Sequence, residues 1–122
     1  NEKLENKVEF LKDLSEKEKY EQIIKSDVFV LPTKDDNLPI SIIEAMACGK
    51  PIISTFMGAI PEVISENNGW LVNHSNNNEL KECIKSIYLK RSDFGRIGDN
   101  NRSAFNSIYA SENRVKELIS LL

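Results

Sequence analysis

Two rhythms of apolar residues alternate along this chain, and their alternation predicts its architecture. Residues 28–31 (Val-Phe-Val-Leu) and 52–53 (Ile-Ile) are short, fully apolar runs of β-branched and aromatic character. Strands buried on both faces of a parallel sheet read this way. Residues 69–72 (Gly-Trp-Leu-Val) read as a further strand, preceded by an Asn-Asn-Gly turn. Between the first two runs, Pro39 suits the first helical position and Gly49 suits the left-handed residue just past the last turn. A helix is therefore expected over 39–48, with Leu38 as its N-cap. Two strands joined by a helix run parallel, because the crossover returns the chain to the same edge. The stretch is a βαβ unit.

The remaining segments extend this plan. Residues 1–7 are charged and aperiodic, an exposed lead-in, and 8–11 (Val-Glu-Phe-Leu) can form a strand. Ser15 and Glu18 make a capping box for a helix running to Lys25, with Tyr20, Ile23 and Ile24 as its apolar face. Pro61 can start a helical turn with Glu62 at its positive end. Leu80, Cys83, Ile84, Ile87 and Tyr88 recur at spacings of three and four, which predicts a helix over 78–90 with that stripe facing the core. Another helix is expected over 93–109, with Phe94, Ile97, Phe105, Ile108 and Tyr109 on its apolar side and Gly98 as a weak point. Ser111 caps a last helix striped by Val115, Leu118, Ile119 and Leu122.

Composition narrows the class. With 122 residues, 40% hydrophobic and 29% charged, the chain suits one α/β domain with a real core. A net charge of −3 gives no electrostatic case for nucleic acid. No signal peptide and no apolar run long enough to span a bilayer is recognisable. Cys48 and Cys83 are most simply core thiols, and His74 stands alone in a solvated Asn/Ser loop. No metal-ligand spacing occurs, and Asp35-Asp36 reads as a turn rather than a ligand pair.

Glu44 is the anomaly of the 39–48 helix. Its neighbours Ile40, Ile42, Ile43, Ala45, Met46 and Ala47 are apolar on nearly every face, and a carboxylate is rarely buried without partners. One reading is a salt bridge to a Lys or Arg elsewhere. The other follows from position: helical side chains tilt toward the N-terminus, so a Glu about 8 Å along the axis can reach back toward the helix mouth. Loop 32–38 lies there, in the crevice beyond the carboxyl ends of the strands where open parallel sheets bind ligands. Asp36 on that loop is either ordinary turn chemistry or a second carboxylate at the same mouth. Two carboxylates would repel phosphate but accept hydrogen bonds well from the hydroxyls of a polyol. The N–H groups at the helix start remain available to a phosphate or sugar oxygen.

These residues resemble a family. Pro32-Thr33, followed by Asp36-Asn37-Leu38-Pro39-Ile40-Ser41-Ile42-Ile43-Glu44-Ala45-Met46-Ala47-Cys48-Gly49-Lys50-Pro51-Ile52-Ile53, is similar to the C-terminal domain signature of family 4 glycosyltransferases with the GT-B fold. Residues 57–64 (Met-Gly-Ala-Ile-Pro-Glu-Val-Ile) and the late Arg96-Ile97-Gly98-x-Asn100-x-Arg102 resemble it as well. The chain departs from the family pattern at Asp36, one methylene shorter than the usual Glu, and at Lys12, Asn37 and Ala59, where Gly is usual.

The resemblance implies an α/β, Rossmann-like, three-layer parallel sheet with helices on both faces, a truncated C-terminal half of a GT-B glycosyltransferase. Residues 1–122 would then be a single partial domain, its first two strand–helix units and the N-terminal acceptor domain absent. In the family's strand order 3-2-1-4-5-6, residues 8–11 correspond to the third strand and 28–31 to the fourth. The apolar 28–31 edge should then be capped by 8–11 or, preferably, by a second chain, giving a homo-oligomer.

The implied function is the donor-binding part of a retaining hexosyltransferase, moving sugar from a nucleotide sugar to a glycan or lipid acceptor in surface polysaccharide biosynthesis. Glu44 would hold the ribose hydroxyls, Asp36 would lie beside the transferred sugar as the catalytic group, and Asn37, Leu38 and Pro39 would line the donor site. The nucleotide-diphosphate sugar is a substrate, and neither metal nor cofactor is implied. The implied location is cytoplasmic, peripheral to the inner face of the membrane, with no nucleic-acid partner, and this piece alone is expected to be inactive. The alternative is a non-catalytic flavodoxin-like interaction or receiver module, although 28–33 and 52–55 lack the acidic cluster and accepting Asp that a receiver needs.

Overall fold

The computed structural model describes residues 6–109. Helix α1 (Glu16–Lys25) begins at the expected capping box: Ser15 Oγ accepts from the Glu18 N–H at 3.2 Å, and Glu18 Oε1 accepts from the Ser15 N–H at 3.1 Å. There follow β1 (Phe29–Val30), α2 (Ile40–Ala47), β2 (Ile52–Thr55), a single turn α3 (Ile60–Val63), β3 (Gly69–Val72), α4 (Asn77–Tyr88), a 3₁₀ turn at Arg91–Asp93 and α5 (Phe94–Tyr109). The three strands lie side by side in the order β1-β2-β3, all parallel. Phe29 faces Ile52 in register, and Ile52 faces Gly69. The architecture is α/β and Rossmann-like, as the βαβ pattern implies.

The core forms where α1 and α2 close on β2. Tyr20, Ile23, Ile42, Ala45, Met46, Ile52, Ile60 and Phe105 pack into one buried cluster. Gly49 ends α2 with φ +71°, the left-handed conformation expected after the last turn. Helix α5 presses on that same turn. A Cβ on Gly98 would fall 2.0 Å from the Gly49 carbonyl oxygen, so Gly98 is a contact point between two backbones rather than a weakness in the helix. Asn101, fully buried, donates its Nδ2 to the carbonyls of Lys50 (2.7 Å) and Asn68 (2.8 Å), and Arg102 Nη2 reaches the Cys48 carbonyl at 3.2 Å. Burial pushes the pKa of the Cys48 thiol up, as suits a core residue.

Three expectations need correction. Residues 8–11 form no strand; they run exposed, with Phe10 89% accessible, and among the described residues nothing pairs with the outer edge of β1. Strand β1 is two residues long, too short a ladder to offset the roughly 1–2 kcal/mol per residue of ordering another segment against it. Pro39 is the N-cap of α2, at φ −63° and ψ 138°, rather than its first helical residue. The ring fixes φ similarly in both positions, so only ψ separates them.

The third concerns α4. Ile87 is buried and Leu80 and Cys83 half-buried, whereas Ile84 (45%) and Tyr88 (60%) face solvent. A helix leaning on the edge strand of a three-stranded sheet has room to bury only the narrow half of a five-residue stripe. The helix expected from Ser111 and the stripe of Val115, Leu118, Ile119 and Leu122 lie outside the described residues, as do the side chains of Ile108 and Tyr109.

Candidate functional site

Two loops meet at the carboxyl ends of β1 and β2. The polar end of β2 ties them to the sheet: Ser54 Oγ donates to the Leu31 carbonyl at 2.8 Å and Thr55 Oγ1 to the Thr33 carbonyl at 2.5 Å. Both side chains are fully buried, so each donates where its hydroxyl would otherwise be orphaned. Thr33 in turn donates Oγ1 to Asp36 Oδ2 at 2.5 Å, folding that exposed carboxylate back over its own loop.

Asn37 then joins the loops. The Ala59 N–H donates both to the Asn37 carbonyl (2.8 Å) and to Asn37 Oδ1 (3.1 Å). Gly58, at φ +52°, lies so close that a Cβ there would sit 2.4 Å from Asn37 Cα. Loop 32–38 and turn 56–59 are therefore one unit, and Gly58 is the residue that permits the contact. The Asn37 side chain adds a second acceptor to the backbone one, which a glycine there could not.

Helix α2 opens onto this unit. Its N-cap, Pro39, offers no side chain to the first turn, and among the described residues the N–H groups of Ile40 and Ser41 have no protein acceptor. They form a donor pair at the positive end of a helix. Leu38 is half-buried beside the core, and Ile40 is exposed at the mouth.

Glu44 is buried on α2 and its partners come from α1. Lys19 Nζ stands 3.0 Å from Oε2, and the Tyr20 phenol donates to the same oxygen. Lys19 also pairs with Glu16 at 2.9 Å. Partial burial alone would lower the pKa of the Lys19 ammonium, but its contacts with Glu16 and Glu44 outweigh that and raise it. Burial, reinforced by Glu44, pushes the Tyr20 phenol well above the usual tyrosine range. Asp36 and Glu44 share no partner: one is held by its loop, the other by α1. Oε1 of Glu44 has no donor among the described residues.

Sequence reasoning missed Lys19, and it placed Tyr20 on an apolar face without its hydroxyl's partner. The signal was available: a tyrosine on the buried face of a helix needs an acceptor, and α2 supplies a single buried acid. The clamp through Asn37 carried no such signal, because it depends on a loop 22 residues downstream. Among the described residues no group of three or more His, Cys, Asp or Glu gathers to hold a metal ion.

Comparison with known proteins places this geometry. Residues 1–104 match the family model described as glycosyl transferases group 1. An uncharacterised glycosyltransferase of Methanocaldococcus jannaschii is 30% identical over 79 residues, covering 64% of this chain and 22% of that protein. Phosphatidyl-myo-inositol mannosyltransferase of Propionibacterium freudenreichii is 33% identical over 69 residues, 56% of this chain and 18% of its own length. Among solved structures, Anabaena HepE in complex with UDP-glucose superposes with a TM-score of 0.78 at 22% identity, over 98% of this chain and 34% of that one. The chain belongs to the group 1 glycosyl transferases, with the GT-B type of fold. It spans about a fifth of the curated relatives it matches.

Proposed function

We propose that the chain is the donor nucleotide-sugar-binding part of a retaining hexosyltransferase that acts on a glycan or lipid acceptor in surface polysaccharide biosynthesis. The observation that carries this reading is the mouth of α2: N–H groups at Ile40 and Ser41 with no acceptor among the described residues, beside the hydrogen-bonded loop bearing Asp36. Donor N–H groups suit the oxygens of a leaving diphosphate, which gains charge as the sugar departs. Carboxylates suit the hydroxyls that orient the sugar and the ribose. In this reading Glu44 Oε1 accepts from the ribose, Asp36 positions the transferred sugar, and Asn37, Leu38 and Pro39 shape the wall. The reaction uses no metal, since N–H dipoles and basic groups elsewhere in the protein stabilise the leaving group. The protein works at the cytoplasmic face of a membrane.

Calorimetric titration of the full-length protein with UDP- and GDP-sugars tests the reading. Saturable binding with turnover to free nucleoside diphosphate supports it. No binding to any nucleotide sugar would leave the interaction-module alternative. Residues 1–122 alone are expected to turn over no nucleotide sugar, and turnover by the isolated piece would overturn its assignment as one part of the site.

A further inference from the structure

Helix α4 carries an outward face that the core does not use. Ile84 and Tyr88 stand one turn apart, 45% and 60% exposed, and Leu89 just beyond them is 81% exposed. Lys81 and Lys85 fall on the same face by helical spacing, and Lys90 and Arg91 follow at its end. Residues 81–91 thus hold four cations against one anion, Glu82, in a chain whose net charge is −3. Among the described residues none of the four cations is ion-paired. Arg91 instead donates Nη1 to the Tyr88 carbonyl at 2.8 Å and lays its guanidinium 4.3 Å over the Tyr88 ring, fixing an aromatic and a cation at one spot.

We propose that this face of α4 docks on an anionic lipid surface. Three exposed apolar side chains cover too little area for a stable protein interface, which needs roughly 800 Å² from each partner. A second copy of the chain would bring like charges together. A lipid surface resolves both: Tyr88, Leu89 and Ile84 enter the headgroup boundary, and the lysine stems lie along it with their ammonium groups on phosphate. Each cation near an anionic leaflet strengthens binding about fivefold. The docking rests on the membrane-facing part of the proposed function alone, not on its donor chemistry.

The test is co-sedimentation of the full-length protein with vesicles of phosphatidylcholine, and with vesicles mixing it one to one with phosphatidylglycerol. The wild type is expected to pellet with the mixed vesicles only, and to be released by salt. Lys85→Glu with Lys90→Glu should cut that partition roughly tenfold or more, and Tyr88→Ser with Leu89→Ser roughly tenfold. Nucleotide-sugar titration of the same variants should match the wild type, which confirms folding and separates this inference from the donor reading. Equal pelleting of wild type and variants would place the membrane contact elsewhere and overturn the proposal. So would absence of vesicle binding, including the case where the face binds an acidic soluble protein instead.

Discussion

Lys19 Nζ lies 3.0 Å from Glu44 Oε2, so the buried carboxylate of α2 is neutralised from α1, across the core. The Tyr20 phenol donates to that same oxygen, so among the described residues Oε1 has no donor. Under the proposed function, structural pairing and donor binding would fall on different oxygens of one side chain.

Glu44→Gln should weaken nucleotide-sugar binding by the full-length enzyme by about 1–3 kcal/mol, as a charged acceptor becomes a neutral one. Lys19→Met removes the cation that balances a buried carboxylate and should cost stability, but it leaves Oε1 untouched and should leave donor affinity nearly unchanged. Titration calorimetry on both variants decides the matter: equal losses would make the α1 contact, not the ribose, the source of Glu44's effect.

The Tyr20 phenol sets a pH window. Burial and the bond to Glu44 raise its pKa above the usual 10.0, so the folded protein keeps a proton that the unfolded chain releases. Its contribution is complete below pH about 10 and is lost as pH rises from there toward the folded value. Wild-type stability should fall in that alkaline range more steeply than that of Tyr20→Phe, which lacks the titrating group. At neutral pH the variant should be less stable by about 1.5–3 kcal/mol, the usual worth of a hydrogen bond to a charged group. Thermal melts of the two proteins at pH 7 and across the alkaline range provide the check, and parallel curves would contradict it.

The cap of α1, the end of α2 and strand β2 are legible because local chemistry decides them. Ser15 with Glu18, Gly49 at positive φ and the Ile52-Ile53 run each carry their structure within a few residues. Ile84 and Tyr88 misled for a physical reason: helical periodicity shows that one side is apolar, but how wide a side gets covered depends on the neighbouring sheet. The strand expected at 8–11 does not form for a related reason: its pattern suffices, but among the described residues no strand pairs with it. The Lys19–Glu44 pair and the Asn37 clamp join distant segments, and no local pattern records them.

Asp36→Asn in the full-length enzyme should lower turnover more than donor affinity, because contacts at the reacting sugar strengthen in the transition state. The Thr33 Oγ1 bond can still be accepted by the amide oxygen, so loop geometry is preserved. Steady-state kinetics beside direct binding distinguish the outcomes. Unchanged turnover would reduce Asp36 to a turn residue.

Asn37 and Gly58 offer the sharpest test of whether the two loops act as one unit. Gly58→Ala places a methyl group against the backbone of Asn37 and strains a positive φ, costing about 1–2 kcal/mol from conformation alone, with the clash in addition. It should separate the loops and release the Ala59 amide. Asn37→Leu keeps the branching at Cγ but removes the Oδ1 acceptor, while Asn37→Asp keeps an acceptor at the same atom. Hydrogen exchange of the Ala59 amide should therefore be slow in the wild type and Asn37→Asp, faster in Asn37→Leu and fastest in Gly58→Ala. Because Asn37 sits between Asp36 and the α2 mouth, turnover should fall in the order of that loosening. Uniform exchange across the four proteins would show that the backbone carbonyl of Asn37 suffices, and that its side chain does not hold the site together.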